Sequence, residues 1–449
     1  MELSKGCGYV LSALERSGFE AYAVGGCVRN YLLGIKPKDY DVATSALPDD
    51  ILRVFNSFKS ITNGIKHGTV TVVVDGEQVE VTTFRADGEY KDCRHPNAVR
   101  LGVSLKEDLS RRDFTVNAIA YSPKSGIIDP FGGAEDIKRR VLRCVGEPDK
   151  RFSEDALRIM RALRFSAQYS FEIDCDTARS IHENKGLLKK IAVERIFTEL
   201  SLLLCGDFAG KILCEYSDVF SVFIPQLEAC NTLFLTGENH RQSLLEHIAR
   251  SVDAVSPSLD LRLAMLLHDI AKPLCIVQGK DGQQIFPNHG EKSAELAGEI
   301  LKRLRAPAEL TKKVCLLCKY HDVHCETEIE IKRLMRDIGF ETVLKILSEV
   351  RRADILAQNG CDKEKRLKRL SHSARLCREL IDNHACVSLK QLKISGDDLL
   401  SLGYSRGIAL GQALSLLLDE VIEGKLVNDK DSLIIRSKEL IGKINSAKP

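Results

Sequence analysis

The chain has 449 residues, 44% of them hydrophobic and 29% charged, which is too long for one ordinary core and too apolar for a disordered polymer, so two to four globular domains are expected. Its 65 Lys and Arg against 63 Asp and Glu leave a net charge of only +2, which excludes a global basic field and requires any nucleic-acid partner to be met by local patches. The apolar stretch around Gly407 to Leu418 falls short of the ~18 residues that span a bilayer, and no apolar run of signal-peptide length opens the chain, so no membrane partner and a cytoplasmic location are expected.

In chain order, a helical pattern carried by Tyr9, Leu11 and Leu14 leads to a short strand, AYAVGG, and a helix, VRNYLLG. The strand DYDVAT (Asp39–Thr44) follows, then a helix with Pro48 in its first turn. The β-branched runs Thr69–Val74 and Val79–Phe84 flank Asp75-Gly76 and predict a hairpin. From Glu154 onward, Pro and Gly thin out and a 3.6-residue period takes over, so the rest of the chain is read as helical, apart from a loop rich in Asn, Gly and Pro between Gly279 and Gly290. The 15 cysteines are scattered, and the one close pair, Cys315 and Cys318, lies in an apolar helical run with no second pair to complete a zinc site, so free thiols are expected.

Two groups of residues carry chemistry. In the first, Gly25 and Gly26 end a strand and open a helix, where backbone N–H groups can approach a triphosphate, and Arg29 follows one helical turn later. Asp39 and Asp41 stand i and i+2 on a strand, which puts two carboxylates on one face about 6–7 Å apart, a spacing suited to divalent cations. Glu80, in the next strand, is a possible third carboxylate and equally an ordinary exposed strand residue. Further on, EDALRIMRALRF sets Asp155, Arg158, Arg161 and Arg164 at three-residue intervals above the apolar stripe Ala156, Ile159, Met160 and Leu163. One reading makes Ser153 a helix N-cap with Glu154 and Asp155 answering the helix dipole. The other notes that arginines on a face with few acids repel one another unless an anion binds.

Through GGCVRN, KDYDVATSA, NGIKHGTVTV, VEVTTFRADGEYKDCRHP, DLSRRDFTVNAIAY, DPFGGAEDIK, RFSEDALRIMRALRF and VERIFTEL, the segment from about residue 20 to 200 resembles the class II tRNA nucleotidyltransferase and bacterial poly(A) polymerase family. The resemblance implies an α+β fold, with a polymerase-β-like nucleotidyltransferase head followed by an all-helical neck, body and tail. It implies transfer of C, C and A from CTP and ATP to a tRNA 3′ end without a nucleic-acid template, with Mg2+ as cofactor and release of pyrophosphate. It makes Asp39 and Asp41 the metal-binding catalytic pair, sets Gly26, Arg29 and Arg112 on the nucleotide, and makes Asp155 and Arg158 the amino-acid template for bases bearing an amino group, with Arg161 and Arg164 steadying the nucleotide. Asn30 stands where the family usually has Asp.

The second group is His247, the adjacent pair His268-Asp269 after the apolar run LAMLL, and Asp354. Unpaired polar groups there would be costly, and coordination of a transition metal or Mg2+ relieves that cost. The pattern resembles the H…HD…D ligands of the HD phosphohydrolase superfamily, with His289 and His321 at its accessory positions and Ala271 where many members have Gly. The expected organisation is head 1–145, neck and RNA-binding body 146–235, HD domain 236–360 and tail 361–449. The basic run CDKEKRLKRLSHSARLCREL is either a solvated amphipathic helix or a contact to tRNA phosphates. Rival functions are a poly(A) polymerase, an enzyme adding only part of CCA, and an HD phosphohydrolase with an RNA-binding head. FRADGEYKDCRHP resembles the loop that complete enzymes use to switch from C to A.

Overall fold

A computed structural model describes residues 1–88, 99–235, 242–279, 283–359 and 362–445. The chain divides into two compact units: Met1–Glu228 with Arg303–Ala306, and Ala229–Lys302 with Pro307–Pro449.

The first unit opens with helix α1 (Lys5–Arg16), strand β1 (Ala21–Val24), α2 (Gly26–Leu32), β2 (Asp41–Thr44) and α3 (Pro48–Val54), followed by strands β3 (Lys59–Ile61), β4 (Thr69–Val74) and β5 (Glu77–Thr83). After β6 (Arg85–Asp87), β7 (Val99–Leu101) and α4 (Leu105–Ser110), strands β8 (Ala120–Ser122) and β9 (Gly126–Ile128) complete a seven-stranded mixed sheet in the order β3-β4-β5-β2-β1-β8-β9. Only the β2–β5 pairing within it is parallel. The β4–β5 hairpin turns at Asp75 and Gly76, both with positive φ (50° and 85°), the backbone that an Asp-Gly pair tolerates in a two-residue turn. Val70, Val72, Val74, Val79 and Val81 alternate into the core beneath α1 and α3.

Past α5 (Gly133–Arg139), the unit becomes helical: α6 (Pro148–Glu154), α7 (Leu157–Tyr169), α8 (Cys175–Asn184) and α9 (Val193–Leu204). Two boundaries differ from expectation. Strand β2 begins at Asp41, so Asp39 lies in the coil leading into it. The EDALRIMRALRF segment is not one helix: α6 ends at Glu154, Asp155 is extended (φ −140°, ψ 101°), and α7 starts afresh at Leu157. Ser153, read as an N-cap, lies inside α6 and donates to the Lys150 carbonyl at 2.8 Å.

In the second unit, α10 (Leu244–Ala254), α11 (Leu259–Leu267), α12 (His289–Arg303) and α13 (Ala308–Lys319) precede a π-helical turn (Ile346–Val350) that runs into α14 (Arg351–Ala357). The long α15 (Lys363–Asp382) packs on α14. The strand pair Phe234–Leu235 with Gln242–Ser243 interrupts a region expected to be helical, and the pair Val277–Gln278 with Gln284–Ile285 falls at the expected loop. Every cysteine among the described residues is free, and no helix there is long and apolar enough to cross a membrane.

Candidate nucleotidyl-transfer site and buried histidine–aspartate centre

The sheet determines what the head carboxylates can do. Asp41 and Glu80 are register partners across the parallel β2–β5 ladder, so their side chains leave the same face, and both are exposed. The Asp41 carboxyl is pushed above the ordinary Asp range, first by its partly desolvated surroundings and then by Glu80 and Asp39, with Arg112 opposing. Crowded oxygen donors of this kind suit a hard divalent cation. Asp39, Asp41 and Glu80 do not close into a cluster with all ligand atoms within 4.8 Å, the result expected of like charges at an exposed strand end.

The glycine turn lies beside them. Gly25 adopts φ 74° and ψ −127° at the start of α2, and a Cβ there would stand 2.8 Å from Nη1 of Arg112. Arg112 therefore lies against the turn, in a weak ion pair with Asp108 at 3.5 Å, and its Nε is buried with no hydrogen-bond partner. Gly25→Ala should cost about 1–3 kcal/mol of local strain and displace that guanidinium. The expected result is an approximately tenfold rise in KM for CTP, and an unchanged KM would separate Arg112 from nucleotide binding.

Arg29 is placed otherwise than its position one turn after the glycines suggested. It is 6% exposed and lies over both Phe165 and Tyr169, each ring centroid 4.8 Å away. Its N–H groups donate to Asn117 Oδ1 at 2.6 Å, to Asn30 Oδ1 at 2.9 and 3.2 Å, and to the Tyr169 hydroxyl at 3.1 Å. It is held by side chains of the same unit, with Nη2 3.6 Å from where a Gly26 Cβ would stand, while Arg112 lies against Gly25. Asn30 keeps the acceptor that an Asp would have supplied.

At the α6–α7 break, Asp155 Oδ1 accepts from the Leu157 amide at 3.1 Å and Oδ2 accepts from Arg195 at 3.2 Å. The carboxylate thus caps α7 and stays one turn from Arg158. The Arg158 guanidinium is buried and clamped: it donates to Glu154 at 2.7 Å and to the carbonyls of Arg151 and Arg111 at 3.1 and 3.0 Å. Glu154 also takes Arg151 at 2.6 Å. Glu154, read as answering the helix dipole, is the partner that holds Arg158. Arg161 and Arg164 do not repel one another across an empty face. Asp113 meets Arg161 at 2.8 Å, Glu199 meets Arg164 at 3.2 Å, and both guanidiniums lie over Phe165. Burial would raise the Asp113 carboxyl, yet Arg161, Asn117 and Arg158 hold it below the ordinary range. FRADGEYKDCRHP lies for the most part outside the described residues.

In the second unit, four side chains converge. His247 from α10, His268 and Asp269 from the turn after α11, and Asp354 from α14 have ligand atoms all within 4.8 Å of one another, and Asp269, His289 and His321 form a second such group. His247 Nε2 lies 3.2 Å from Asp269 Oδ2 and 3.1 Å from Asp354, and His289 and His321 each reach Asp269 Oδ1 at 3.4 Å. Asp269 therefore faces one group with each oxygen. Three imidazoles are oriented from behind, because Nδ1–H of His268, His289 and His321 donates to the carbonyls of Met265, Phe286 and Cys318 at 2.8, 2.8 and 2.7 Å. Their Nε2 atoms are thereby turned inward; His247 Nδ1 has no partner. Lys272, 2.6 Å from Asp269 Oδ2, was not singled out from the sequence. Burial works against the Asp269 and Asp354 carboxylates, but the imidazoles hold both well below the usual range, with Lys272 adding to the effect on Asp269. Buried carboxylate and imidazole donors, one carboxylate oxygen without a hydrogen bond, fit a transition-metal or Mg2+ centre.

The seven-stranded head with its Asp41–Glu80 pair, followed by helices, defines a nucleotidyltransferase of polymerase type. Residues 21–143 match the Poly A polymerase head domain, 170–230 the RNA and SrmB-binding site of polymerase A, and 290–435 the tRNA nucleotidyltransferase domain 2. The chain is 36% identical to the CCA-adding enzyme of Geobacillus sp. (strain WCH70) over 94% of both proteins, and 33% identical to that of Ligilactobacillus salivarius (strain UCC118) over 96% of this chain and 95% of that one. It also superposes on the Bacillus stearothermophilus CCA-adding enzyme crystallised with CTP, with a TM-score of 0.71 at 29% identity, covering 99% of this chain and 98% of the other. The chain belongs to the CCA-adding enzyme family.

Proposed function

We infer that this chain adds C, C and A to the 3′ end of tRNA, using CTP and ATP and releasing pyrophosphate in the cytoplasm. The observation that carries this reading is the end-to-end relationship to CCA-adding enzymes, together with Asp41 and Glu80 side by side next to the Gly25–Arg112 turn. The tRNA 3′ oxygen attacks the α-phosphorus, the bond to the β-phosphate bridge breaks, and pyrophosphate departs. Asp39 and Asp41 would hold Mg2+, which supplies activation of the hydroxyl and neutralisation of the leaving charge when bound. Gly26 leaves room at the turn for the triphosphate, and Arg112 offers it a guanidinium. Arg29, Arg161 and Arg164 stiffen the wall around Phe165 and so position the nucleotide.

Base choice falls to Asp155 and Arg158. A carboxylate accepts from an exocyclic amine and a guanidinium donates to ring acceptors, an edge that cytosine and adenine present and uracil and guanine do not. Glu154 locks the guanidinium in place, so the template is rigid before a base arrives. The test is incorporation of each NTP, separately and together, on tRNA lacking CCA, with sequencing of the product. The parent should add CCA, Asp155→Ala should admit UTP or GTP at lower efficiency, and Glu154→Ala should also slow the reaction. Equal selectivity in the parent and the Asp155 variant would move base choice elsewhere.

The second unit is proposed as a metal-dependent phosphohydrolase centre on His247, His268, Asp269 and Asp354, supported by the inward-facing Nε2 atoms. We propose a division into head (1–145), neck and body (146–235), HD domain (236–360) and tRNA-binding tail (361–449); the break between compact units at Glu228 supports only the boundary near 235.

A further inference from the structure

Beside the histidine–aspartate centre, where α14 meets α15, cationic side chains surround a small cavity of about 40 Å3, room for a group of phosphate size and not for a nucleoside. Arg351, Arg366, Arg369 and His324 line it together with one exposed carboxylate, Glu326, over an apolar floor of Ile355 and Leu370. The π-helical turn delivers Arg351 to this point, one helical turn before Asp354. One Arg351 amino group is anchored on the Val323 carbonyl and the other lies 3.2 Å from His324 Nδ1.

Arg112, Arg161, Arg158 and Arg164 in the head are answered by Asp108, Asp113, Glu154 and Glu199, whereas neither Arg351 nor Arg366 has a carboxylate within 4 Å among the described residues. Arg369 has only the exposed Glu326, at 3.8 Å. Burial, then the neighbouring guanidiniums, push His324 below its ordinary value with Asp322 opposing, and Arg351 is lowered by burial and by Arg366 against the opposing pull of Asp354 and Asp322. A second observation ties the cavity to the metal-ligand set. The Gln358 amide donates to both oxygens of Asp354, at 3.0 and 2.9 Å, while its carbonyl accepts from Arg366 Nη1.

We propose that Arg351, Arg366 and Arg369, with His324, form a binding pocket for a phosphate group, coupled to Asp354 through Gln358. The pocket stands without the metal-centre reading; only its service to that centre, seating a phosphate while an adjoining one is processed, rests on it. Three guanidiniums with one exposed acid among them, set over an apolar floor, suit phosphate through paired charge-assisted hydrogen bonds. The ligand is either free inorganic phosphate or the phosphate of an RNA end. Arg351 is too firmly built in to be a clean probe, but Arg366 and Arg369 are partly or fully exposed, so the double variant Arg366→Gln/Arg369→Gln should fold; its thermal melt checks this.

The experiment titrates inorganic phosphate, and separately a short 5′-phosphorylated RNA and its dephosphorylated twin, into the full chain by calorimetry, as purified and after chelation. The expected result is saturable phosphate binding that the folded double variant weakens about tenfold or more, with or without metal. Preference for the phosphorylated RNA identifies an RNA end, and phosphate binding alone identifies the free ion. An unchanged phosphate Kd in the double variant, or no saturable binding by the parent, overturns the pocket. Metal analysis of the same samples judges the metal centre independently.

Discussion

Replacing Asp41 by Ala should lower the rate of nucleotide addition by on the order of a thousand-fold, and Asp39→Ala by a comparable factor, while the variants stay folded and retain tRNA. Cation-assisted neutralisation of developing phosphate charge is worth several kcal/mol, and each factor of ten in rate takes about 1.4 kcal/mol. The carboxylates are exposed at the end of β2, so no buried partner is stranded by their removal. Melting temperature and tRNA affinity should therefore stay close to the parent. Single-turnover incorporation of CTP, read beside a thermal melt and a tRNA gel shift, makes the measurement. Near-normal rates in both variants would sink the proposed mechanism.

The candidate ligands could be picked from the sequence because they sit in short, dense motifs: Asp39 with Asp41 a dozen residues after the glycines, and His268 with Asp269 behind an apolar run. What those residues touch was less legible. Arg29 reads as a phosphate arm because it follows the glycine turn, but its partners Asn117 and Tyr169 lie 88 and 140 residues away, and nothing local announces them. The spacing of Arg158, Arg161 and Arg164 suggested unanswered charge, yet the answering acids, Asp113 and Glu199, come from a loop and from α9. The break at Asp155 carries no Pro or Gly. It is held by the carboxylate itself, which satisfies the Leu157 amide at the start of α7 while Arg195 holds its other oxygen. Long-range pairing thus sets side-chain direction in the head, and only the local part of it is written in the spacing.

The strongest prediction for the second unit concerns Asp269, since its two oxygens face different groups of imidazoles. If both groups hold metal, Asp269→Asn should weaken binding at both, by at least on the order of a hundred-fold, whereas His321→Ala should affect only the group formed with His289. Full removal to Ala is the poorer test. It leaves the mostly buried Lys272 without its partner at 2.6 Å, and stranding such a charge costs up to about 3–5 kcal/mol, enough to confound metal loss with unfolding. Asn keeps the volume and one acceptor, so the fold is retained and the loss reads on coordination. Metal per chain, measured by elemental analysis after dialysis against a weak chelator, should fall furthest in Asp269→Asn, partially in His321→Ala, and not at all in Asp41→Ala when a transition metal is counted. Addition of CCA should survive both changes in the second unit, because the carboxylates and the template proposed for it all lie in the head and at the α6–α7 break. Parent-like metal content in Asp269→Asn would show that the cluster is a proton-sharing network and not a metal centre. Loss confined to one group would show that Asp269 serves a single ion and does not bridge.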